Sequence, residues 1–281
     1  MSNRNYKINK AKRQAQKKEN VKKEWNAKNI RKFLTVFSVV IVVAIVVSLF
    51  GFGVIRLPTY QQPFTAPSTV PWGSGEQISS SNYGSNITIY YFSWLGCPLG
   101  ATDSWAFYEA VSSYLGNSAT INQHISLHTS NAVDTYPNTP GLIFSAFHDA
   151  NIVFDPIYVY NQTMTGTINN QPITTSQLVG AGIYEINASV PANVAQLEYH
   201  YMIQVPIQGT TSSSFFHFQV PHVNTNIIIT GPHGAWIFNG ALYNPSILSG
   251  LSPSYVYSHL NSVGVGGISS IENALNTLGG S

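Results

Sequence analysis

All 13 lysines and arginines of this 281-residue chain lie within its first 56 residues. An apolar run of 23 residues, Phe33 to Ile55, follows twelve of them, and only Arg56 comes after it. Such a run is long enough to cross a hydrocarbon core of about 30 Å as a helix. Because Lys and Arg stay on the cytoplasmic side of a first spanning helix, residues 1–32 are predicted to form a cytoplasmic tail. The sequence therefore predicts a single-pass membrane protein whose function lies in an extracytoplasmic C-terminal part.

The apolar run could instead belong to a cleaved signal peptide. The long basic region before it, its length and the lack of a following A-x-A cleavage site favour a retained transmembrane helix, 33–55. Attraction to anionic lipid headgroups, about 1 kcal/mol per basic residue near the surface, is enough to explain the basic tail. Membrane lipid is thus its expected partner, with a specific nucleic-acid or protein contact as the alternative.

The part of the chain after Arg56 has a formal charge of −9 at pH 7, because it holds all of the 11 acidic residues except Glu19 and Glu24. In acid these carboxylates become neutral, and the eight histidines carry most of the remaining charge. A domain without Lys and Arg then avoids strong positive self-repulsion, which fits an acidic exterior. A neutral polar surface unrelated to pH explains the composition as well. Nucleic acid is disfavoured as a partner of this part.

Residues 56–85 are rich in Pro, Ser and Gly and are predicted to form a semi-extended stalk. The folded domain is predicted to cover 86–281. It opens with the β-branched and aromatic run 86–94, which suits a buried strand. After a turn, apolar residues recur every three to four positions from Ala101 to Leu115, which predicts a helix that ends at Gly116.

The remaining elements are predicted from alternation and from turn residues. They are strands at His124–His128, Gly141–Phe147 and Ile152–Tyr160, a hairpin over 227–238, and helix starts at Asn244, Ser252 and Ser269. Between them, an insertion at about 162–225 is predicted to be rich in strands, because apolar and polar residues alternate over 197–205 and 216–220.

The lone cysteine, Cys97, lies at the predicted start of the first helix, with Pro98 in the first turn. One cysteine excludes an internal disulfide, so a redox role would need a second molecule. Helix N-termini favour thiolates, and a lowered pKa is therefore expected for this thiol. The alternative is an unreactive, half-buried residue at a helix cap.

Three stretches resemble a family of uncharacterised, membrane-anchored thioredoxin-like proteins from acidophilic thermophilic archaea. They read YYFSWLGCPLGATDSWAFYEAV, DTYPNTPGLIF and WIFNGALYNPSILSGL. The resemblance extends from about Asn86 to Leu278 and is weak through the insertion. It implies a thioredoxin-like α/β domain with a β-rich insertion. The active-site pattern of that family, Cys-Pro-x-Cys, is reduced here to Cys97-Pro98-Leu99-Gly100.

The resemblance implies disulfide chemistry that this chain carries only in part. Cys97 would be the nucleophile and Pro98 would shape the turn, while Pro140, or second Pro221, would be a cis proline that presents substrate. Without a resolving thiol, a thiol-disulfide oxidoreductase or isomerase would have to act with one cysteine on an extracytoplasmic protein or peptide. The competing interpretation is a non-catalytic cell-envelope module that binds peptide or sugar on the same face.

Other residue patterns give weaker signals. His124 and His128 share a strand face, and His200 and His217 could face one another across a hairpin, but no further ligand spacing supports a metal, and none is predicted. No cofactor is predicted either. Three sequons, at Asn86, Asn161 and Asn187, are candidate glycosylation sites of an extracytoplasmic domain.

Overall fold

The computed structural model describes residues 64–280, which fold around a six-stranded mixed β-sheet. Its strand order is β1-β8-β7-β2-β6-β5, and β3 and β4 form a separate two-stranded sheet. The strands are β1 Ser74–Ser79, β2 Ile87–Ser93, β3 Ile125–Thr129, β4 Pro140–Phe144, β5 Phe147–Asp149, β6 Ile152–Tyr158, β7 Asn226–Gly231 and β8 Gly234–Asn239. The central strand β2 runs parallel to β6 and antiparallel to β7. The predicted α/β class is therefore confirmed.

Seven α-helices lie within residues 64–280. They are α1 Pro98–Tyr114, α2 Ala119–Asn122, α3 Leu178–Ser189, α4 Ala192–Tyr199, α5 Pro253–Ser258, α6 Leu260–Val263 and α7 Ile268–Gly279. A π-helix, His200–Gln204, continues α4, and short 3-10 helices occupy Thr175–Gln177, Ser214–Phe216 and Pro245–Leu248.

The residues of β2 alternate between two hydrophobic cores. Ile89 and Tyr91 pack in the core that holds α1 and α7. Tyr90 and Phe92 point the other way, into the core that holds α3 and α4. Because successive side chains of a strand face opposite sides, a run that is apolar at every position needs cover on both faces. The sheet is accordingly a central layer between helices.

Helix α1 begins directly after the turn that follows β2. Pro98 occupies its first turn, where a missing N–H costs nothing, and Gly116 at φ 72° follows its C-terminal end, as the sequence predicted. Its position is fixed against β4: the Trp105 indole N–H donates to the Pro140 carbonyl at 2.9 Å, and the Leu142 N–H donates to the Ser104 hydroxyl at 2.8 Å.

The folded domain begins before Asn86, so the prediction of a stalk over 56–85 is wrong for its second half. Strand β1, Ser74–Ser79, pairs antiparallel with β8, and Val70 is fully buried. The Pro- and Ser-rich composition gave no sign of a folded segment, but the apolar side chains of Val70 and Ile78 are buried in the domain. Residues 56–63 lie outside the described residues.

The insertion is helical, and the prediction of strands there is wrong. Its buried side chains recur at the spacing i, i+1, i+4, i+7, i+8, which is one stripe of a helix. They are Val194, Ala195, Glu198, Tyr201 and Met202. The strand prediction for 197–205 required Glu198 to face solvent, but Glu198 is buried, with 1% exposure. A helix start was also predicted at Ser269. Helix α7 instead starts at Ile268, after Gly267, and no side chain caps it.

The predicted cytoplasmic tail, 1–32, and transmembrane helix, 33–55, lie outside the described residues. Within 64–280, no helix combines the length and the apolarity that crossing a bilayer requires.

Candidate functional site

A cavity of about 560 Å³ opens where β2 ends and α1 begins. The start of β7 and the segment after β8 meet at the same edge of the sheet and complete its wall. Aromatic rings dominate this wall, and they belong to Trp72, Trp94, Tyr136, His217, Phe218, His222 and Tyr243. Cys97, Pro98 and Leu99 line the cavity from the helix side. The lone thiol thus borders the cavity.

The sulfur of Cys97 caps helix α1. It accepts a hydrogen bond from the Gly100 N–H at 3.4 Å, as an N-cap side chain does. It also accepts from the hydroxyl of Thr225, at 3.0 Å. The Thr225 hydroxyl also lies 2.7 Å from the Ser93 hydroxyl, within hydrogen-bond distance, and either oxygen can be the donor. Ser93, Thr225 and Cys97 therefore form a buried, connected group of polar side chains at the start of α1.

Burial raises the pKa of the Cys97 thiol, and the predicted lowering is wrong. The residue is only 4% exposed, and removal from water disfavours the thiolate. Hydrogen bonds from Thr225, Gly100 and Leu99 act in the opposite direction but are the smaller effects. The carboxylate of Asp134 raises the pKa further. Cys97 is consequently a protonated thiol at neutral pH.

No side chain fits at position 100, where the resembling family has its second cysteine. A Cβ built on Gly100 would lie 2.3 Å from Ser93 Oγ and 2.8 Å from Thr225 Oγ1. A Cβ atom essentially never approaches other heavy atoms this closely, so the Ser93 and Thr225 hydroxyls occupy the space that a side chain at position 100 would need. Glycine is thus the residue that the packing around the helix N-terminus accommodates at position 100.

Neither candidate for a substrate-presenting cis proline is cis. Residues 64–280 contain no cis peptide bond, so the expectation for Pro140 and Pro221 is wrong. Pro140 lies in β4 opposite Thr129, and its carbonyl accepts from Trp105. Neither proline lines the cavity. The sulfur is instead contacted by the hydroxyl of Thr225, directly before β7.

The aromatic side chains of the wall form a continuous series of ring contacts. The rings of Trp72 and His217 have centroids 4.7 Å apart, and Trp72 meets Phe218 edge to face at 5.9 Å. Phe218 stacks on His222 at 5.2 Å, and His222 meets Trp94 at 6.4 Å. Such offset and edge-to-face pairs are favourable geometries for aromatic rings. They hold a continuous π-rich wall in place.

His222 is a neutral imidazole with a defined tautomer. Burial lowers its pKa, although the Val220 carbonyl and Asp134 act in the opposite direction. Its Nδ1 lies 2.7 Å from the Val220 carbonyl oxygen, which can only accept, so Nδ1 carries the proton. The Nε2 atom then has a free lone pair, and His222 offers an acceptor rather than a charge.

The other histidines do not converge. His124 contacts the Ser145 hydroxyl through Nδ1, and His128 donates to the Leu95 carbonyl at 2.6 Å. The predicted hairpin that would bring His200 and His217 together is absent from 64–280, because His200 begins the π-helix and His217 lines the cavity. No group of three or more metal-ligating side chains is found within the described residues.

Two carboxyl groups, those of Asp103 and Glu198, are buried in the domain, and neither lines the cavity. Asp103 in α1 is fully buried and accepts a hydrogen bond from the Leu242 N–H at 2.8 Å. Burial raises the pKa of its carboxyl group well above the ordinary value. Burial also raises the pKa of Glu198 to about 8, against a smaller lowering by Asn226. The Asn226 amide donates to Glu198 at 2.8 Å.

The three sequons differ in how accessible their asparagines are. Asn187 is exposed in α3. Asn86 is half-buried before β2. Asn161 is held in a turn, where its amide donates to Asn170 and its oxygen accepts from the Thr163 and Thr165 N–H groups. Asn187 therefore remains the best-placed candidate for a glycan.

Most of the domain matches a protein family. Residues 76–279, from β1 to the last residue of α7, match a family described as a domain of unknown function, DUF929. No curated protein and no solved structure matches the chain. The match includes Cys97, Gly100, Thr225 and the aromatic wall from Trp94 onward, and it confirms the expectation of an uncharacterised family. This chain belongs to the DUF929 family.

Proposed function

We propose that the protein is a membrane-anchored, extracytoplasmic thioredoxin-like module that has lost redox activity and binds a ligand in the cavity beside Cys97. The membrane and extracytoplasmic parts of the proposal are supported by the confinement of all 13 basic residues to positions before Leu57. The remaining parts are supported by the topology and by the packing around the thiol.

The order of elements supports the thioredoxin-like assignment. Strand β2, helix α1 and strand β6 form a parallel strand-helix-strand unit, and the antiparallel pair β7–β8 and the helix α7 follow it. Four neighbouring strands run in the order β6-β2-β7-β8. This order, with a cysteine at the N-terminus of the first helix, is typical of thioredoxin-like domains. An archaeal origin is part of the same resemblance.

The close packing at Gly100 is the observation that best supports the proposed loss of redox activity. A dithiol enzyme needs a second cysteine to release the mixed disulfide that the first one forms. Here Ser93 and Thr225 fill that space, and burial keeps the Cys97 thiol protonated. The sulfur accepts two hydrogen bonds at the helix terminus, which is a structural role. An apolar, aromatic cavity next to it remains suited to binding.

Monothiol disulfide handling is the second candidate, and one observation favours it. Cys97 lines the cavity, and its hydrogen bonds from Thr225 and Gly100 favour the thiolate. The thiolate would attack one sulfur of a client disulfide and release the other sulfur as a thiolate. An external thiol would then have to reduce the mixed disulfide, since position 100 supplies none.

Trapping of mixed disulfides in intact cells separates the two candidates. Full-length protein is isolated after acid quenching and compared with the Cys97→Ser variant on non-reducing gels. The proposal predicts the same pattern for both proteins, and a pull-down through the domain then identifies the non-covalent partner. A disulfide-linked partner that is lost in Cys97→Ser would replace the proposal with the monothiol candidate.

A further inference from the structure

The charges around the cavity exclude most ionic ligands. The described residues contain no Lys or Arg, so a phosphate, sulfate or carboxylate finds no permanent cation there. The cavity is also poorly suited to a cationic ligand. Asp134 is the one carboxylate of the wall, one of its oxygens already accepts from the Thr135 N–H at 2.5 Å, and two histidines share the same cavity. The site is therefore built for an uncharged ligand.

The aromatic wall gives such a ligand a flat apolar surface. Trp72 is half-buried, and its ring is braced by His217 at 4.7 Å and by Phe218 at 5.9 Å with an interplanar angle of 62°. A braced indole loses little conformational entropy when a ligand packs on it. A sugar ring has a face of C–H groups that suits this surface, and its hydroxyl groups point away from that face.

Hydroxyl groups at the edge of a sugar ring need donors and acceptors, and the wall offers several that are unused. Within 64–280, no hydrogen bond is made by the hydroxyl of Thr135, the hydroxyl of Tyr136, the His217 ring or the Trp72 indole N–H. The His222 Nε2 lone pair adds an acceptor, because its proton is on Nδ1. A purely apolar ligand would leave these groups unpaired, which costs free energy when they are desolvated.

From this combination we infer that the cavity binds a neutral sugar ring, with Trp72 as the stacking platform and Tyr136, Thr135 and His217 as hydrogen-bonding partners of its hydroxyls. The volume of about 560 Å³ lies in the range of about 300–1,000 Å³ found for small-ligand sites. The inference rests on the proposed binding function and names its ligand class. A neutral glycan of the cell envelope is the expected source.

Fluorine NMR on full-length protein in lipid nanodiscs tests this inference directly. The chain has five tryptophans, and 5-fluorotryptophan replaces all of them, so that each position gives its own fluorine signal. Trp72 and Trp94 line the cavity, whereas Trp105 and Trp236 lie elsewhere in the core and on β8. The probes are the methyl pyranosides of glucose, galactose, mannose and N-acetylglucosamine. At least one should shift the signals of Trp72 and Trp94 saturably and leave those of Trp105 and Trp236 unchanged.

Matched variants show whether the indole is the platform. Trp72→Ala should raise the dissociation constant of the bound pyranoside at least about tenfold, and Trp236→Phe should leave it unchanged. Choline and glucosamine serve as cationic probes and glucuronate as an anionic one. No shift with any of the four pyranosides would overturn the inference, as would a saturable shift with choline alone.

Failure of the sugar inference and failure of the proposed function give different results. If a short apolar peptide shifts the Trp72 and Trp94 signals and no pyranoside does, the ligand class is wrong while the binding function stands. If Cys97→Ser abolishes the binding of every probe and Cys97-linked mixed disulfides form in cells, the proposed function is wrong.

Discussion

The hydroxyl of Thr225 donates a hydrogen bond to the sulfur of Cys97 at 3.0 Å. The two residues are 128 positions apart, and this contact ties the start of β7 to the N-terminus of α1. The Thr225 hydroxyl also contacts the Ser93 hydroxyl at 2.7 Å. The thiol is thus part of a structural network beside the cavity.

Substitutions of Cys97 test whether its sulfur stabilises the protein by capping helix α1. Serine caps helices well, so Cys97→Ser should leave the free energy of unfolding nearly unchanged, whereas Cys97→Ala should lower it by about 1 kcal/mol. Denaturant unfolding of the full chain in detergent measures both. Equal destabilisation by the two variants would show that the sulfur is not a cap.

Adding a methyl group at Gly100 should be costly. Gly100→Ala places a Cβ against Ser93 and Thr225, and overpacking of this kind costs about 1–3 kcal/mol. Gly180 in α3 is the matched control, since it is helical, exposed and has no atom within 4 Å of an added Cβ. Gly180→Ala should stabilise the protein by a few tenths up to about 1 kcal/mol.

The same packing predicts how a second cysteine behaves. Gly100→Cys should be destabilised like Gly100→Ala and should not gain disulfide reductase activity. Removing both obstructing hydroxyls, with Ser93→Ala and Thr225→Ala, should recover part of the lost stability. An active, fully stable Gly100→Cys single variant would contradict the account.

Ionisation of Glu198 should make the protein less stable as the pH rises from about 4.5 to about 8. The pKa of Glu198 is raised from its ordinary 4.5 to about 8 in the folded protein, so the folded state holds a proton that the unfolded chain releases. Its contribution is complete below about 4.5 and is lost between there and about 8, with a slope of about 1.4 kcal/mol per pH unit. Burial raises the pKa of Asp103 in the same direction, which steepens the loss.

Glu198→Gln isolates this contribution. Denaturant unfolding across the pH range should give a flatter profile for Glu198→Gln than for the unchanged protein. Glu185→Gln, on the partly exposed surface of the neighbouring α3, should keep the original slope. A Glu198→Gln profile as steep as that of the unchanged protein would mean that this carboxyl ionises without cost.

The distribution of basic residues makes trypsin a test of topology. Trypsin cleaves after Lys and Arg, and none follows Arg56. Trypsin added to intact cells should therefore release one fragment that begins at Leu57, while inverted vesicles should lose the tail 1–32 instead. Digestion of the tail in intact cells would place the N-terminus outside and contradict the predicted orientation.

Local patterns in the sequence predicted much of the sheet and the position of the thiol. The apolar run of β2, the proline after Cys97 and the spacing through α1 each act within a few residues, and these elements form where they were expected. The same holds for β3, β4, β6 and the hairpin β7–β8. Local signals of this kind are sufficient where propensity and burial agree.

The rest depended on contacts that are distant in sequence. Strand β1 pairs with β8, whose residues lie far along the chain, such as Asn239 opposite Ser74. Glu198 looked solvent-facing in the sequence, but it is buried and accepts from the distant Asn226. The raised pKa of Cys97 follows from its desolvation in the folded core, and its partner Thr225 gave no sequence signal. Trp72 was missed as a cavity residue because it lies in a Pro- and Ser-rich segment.

The rate at which Cys97 is alkylated tests the central claim most directly. The full-length protein in nanodiscs is treated with iodoacetamide over a range of pH around neutrality, and its rate is compared with that of the same protein unfolded in denaturant. The account predicts that the folded protein reacts far more slowly than the unfolded one at every pH, because the thiol is buried, hydrogen-bonded and protonated. Rapid alkylation of the folded protein at or below neutral pH would show a reactive thiolate and contradict it.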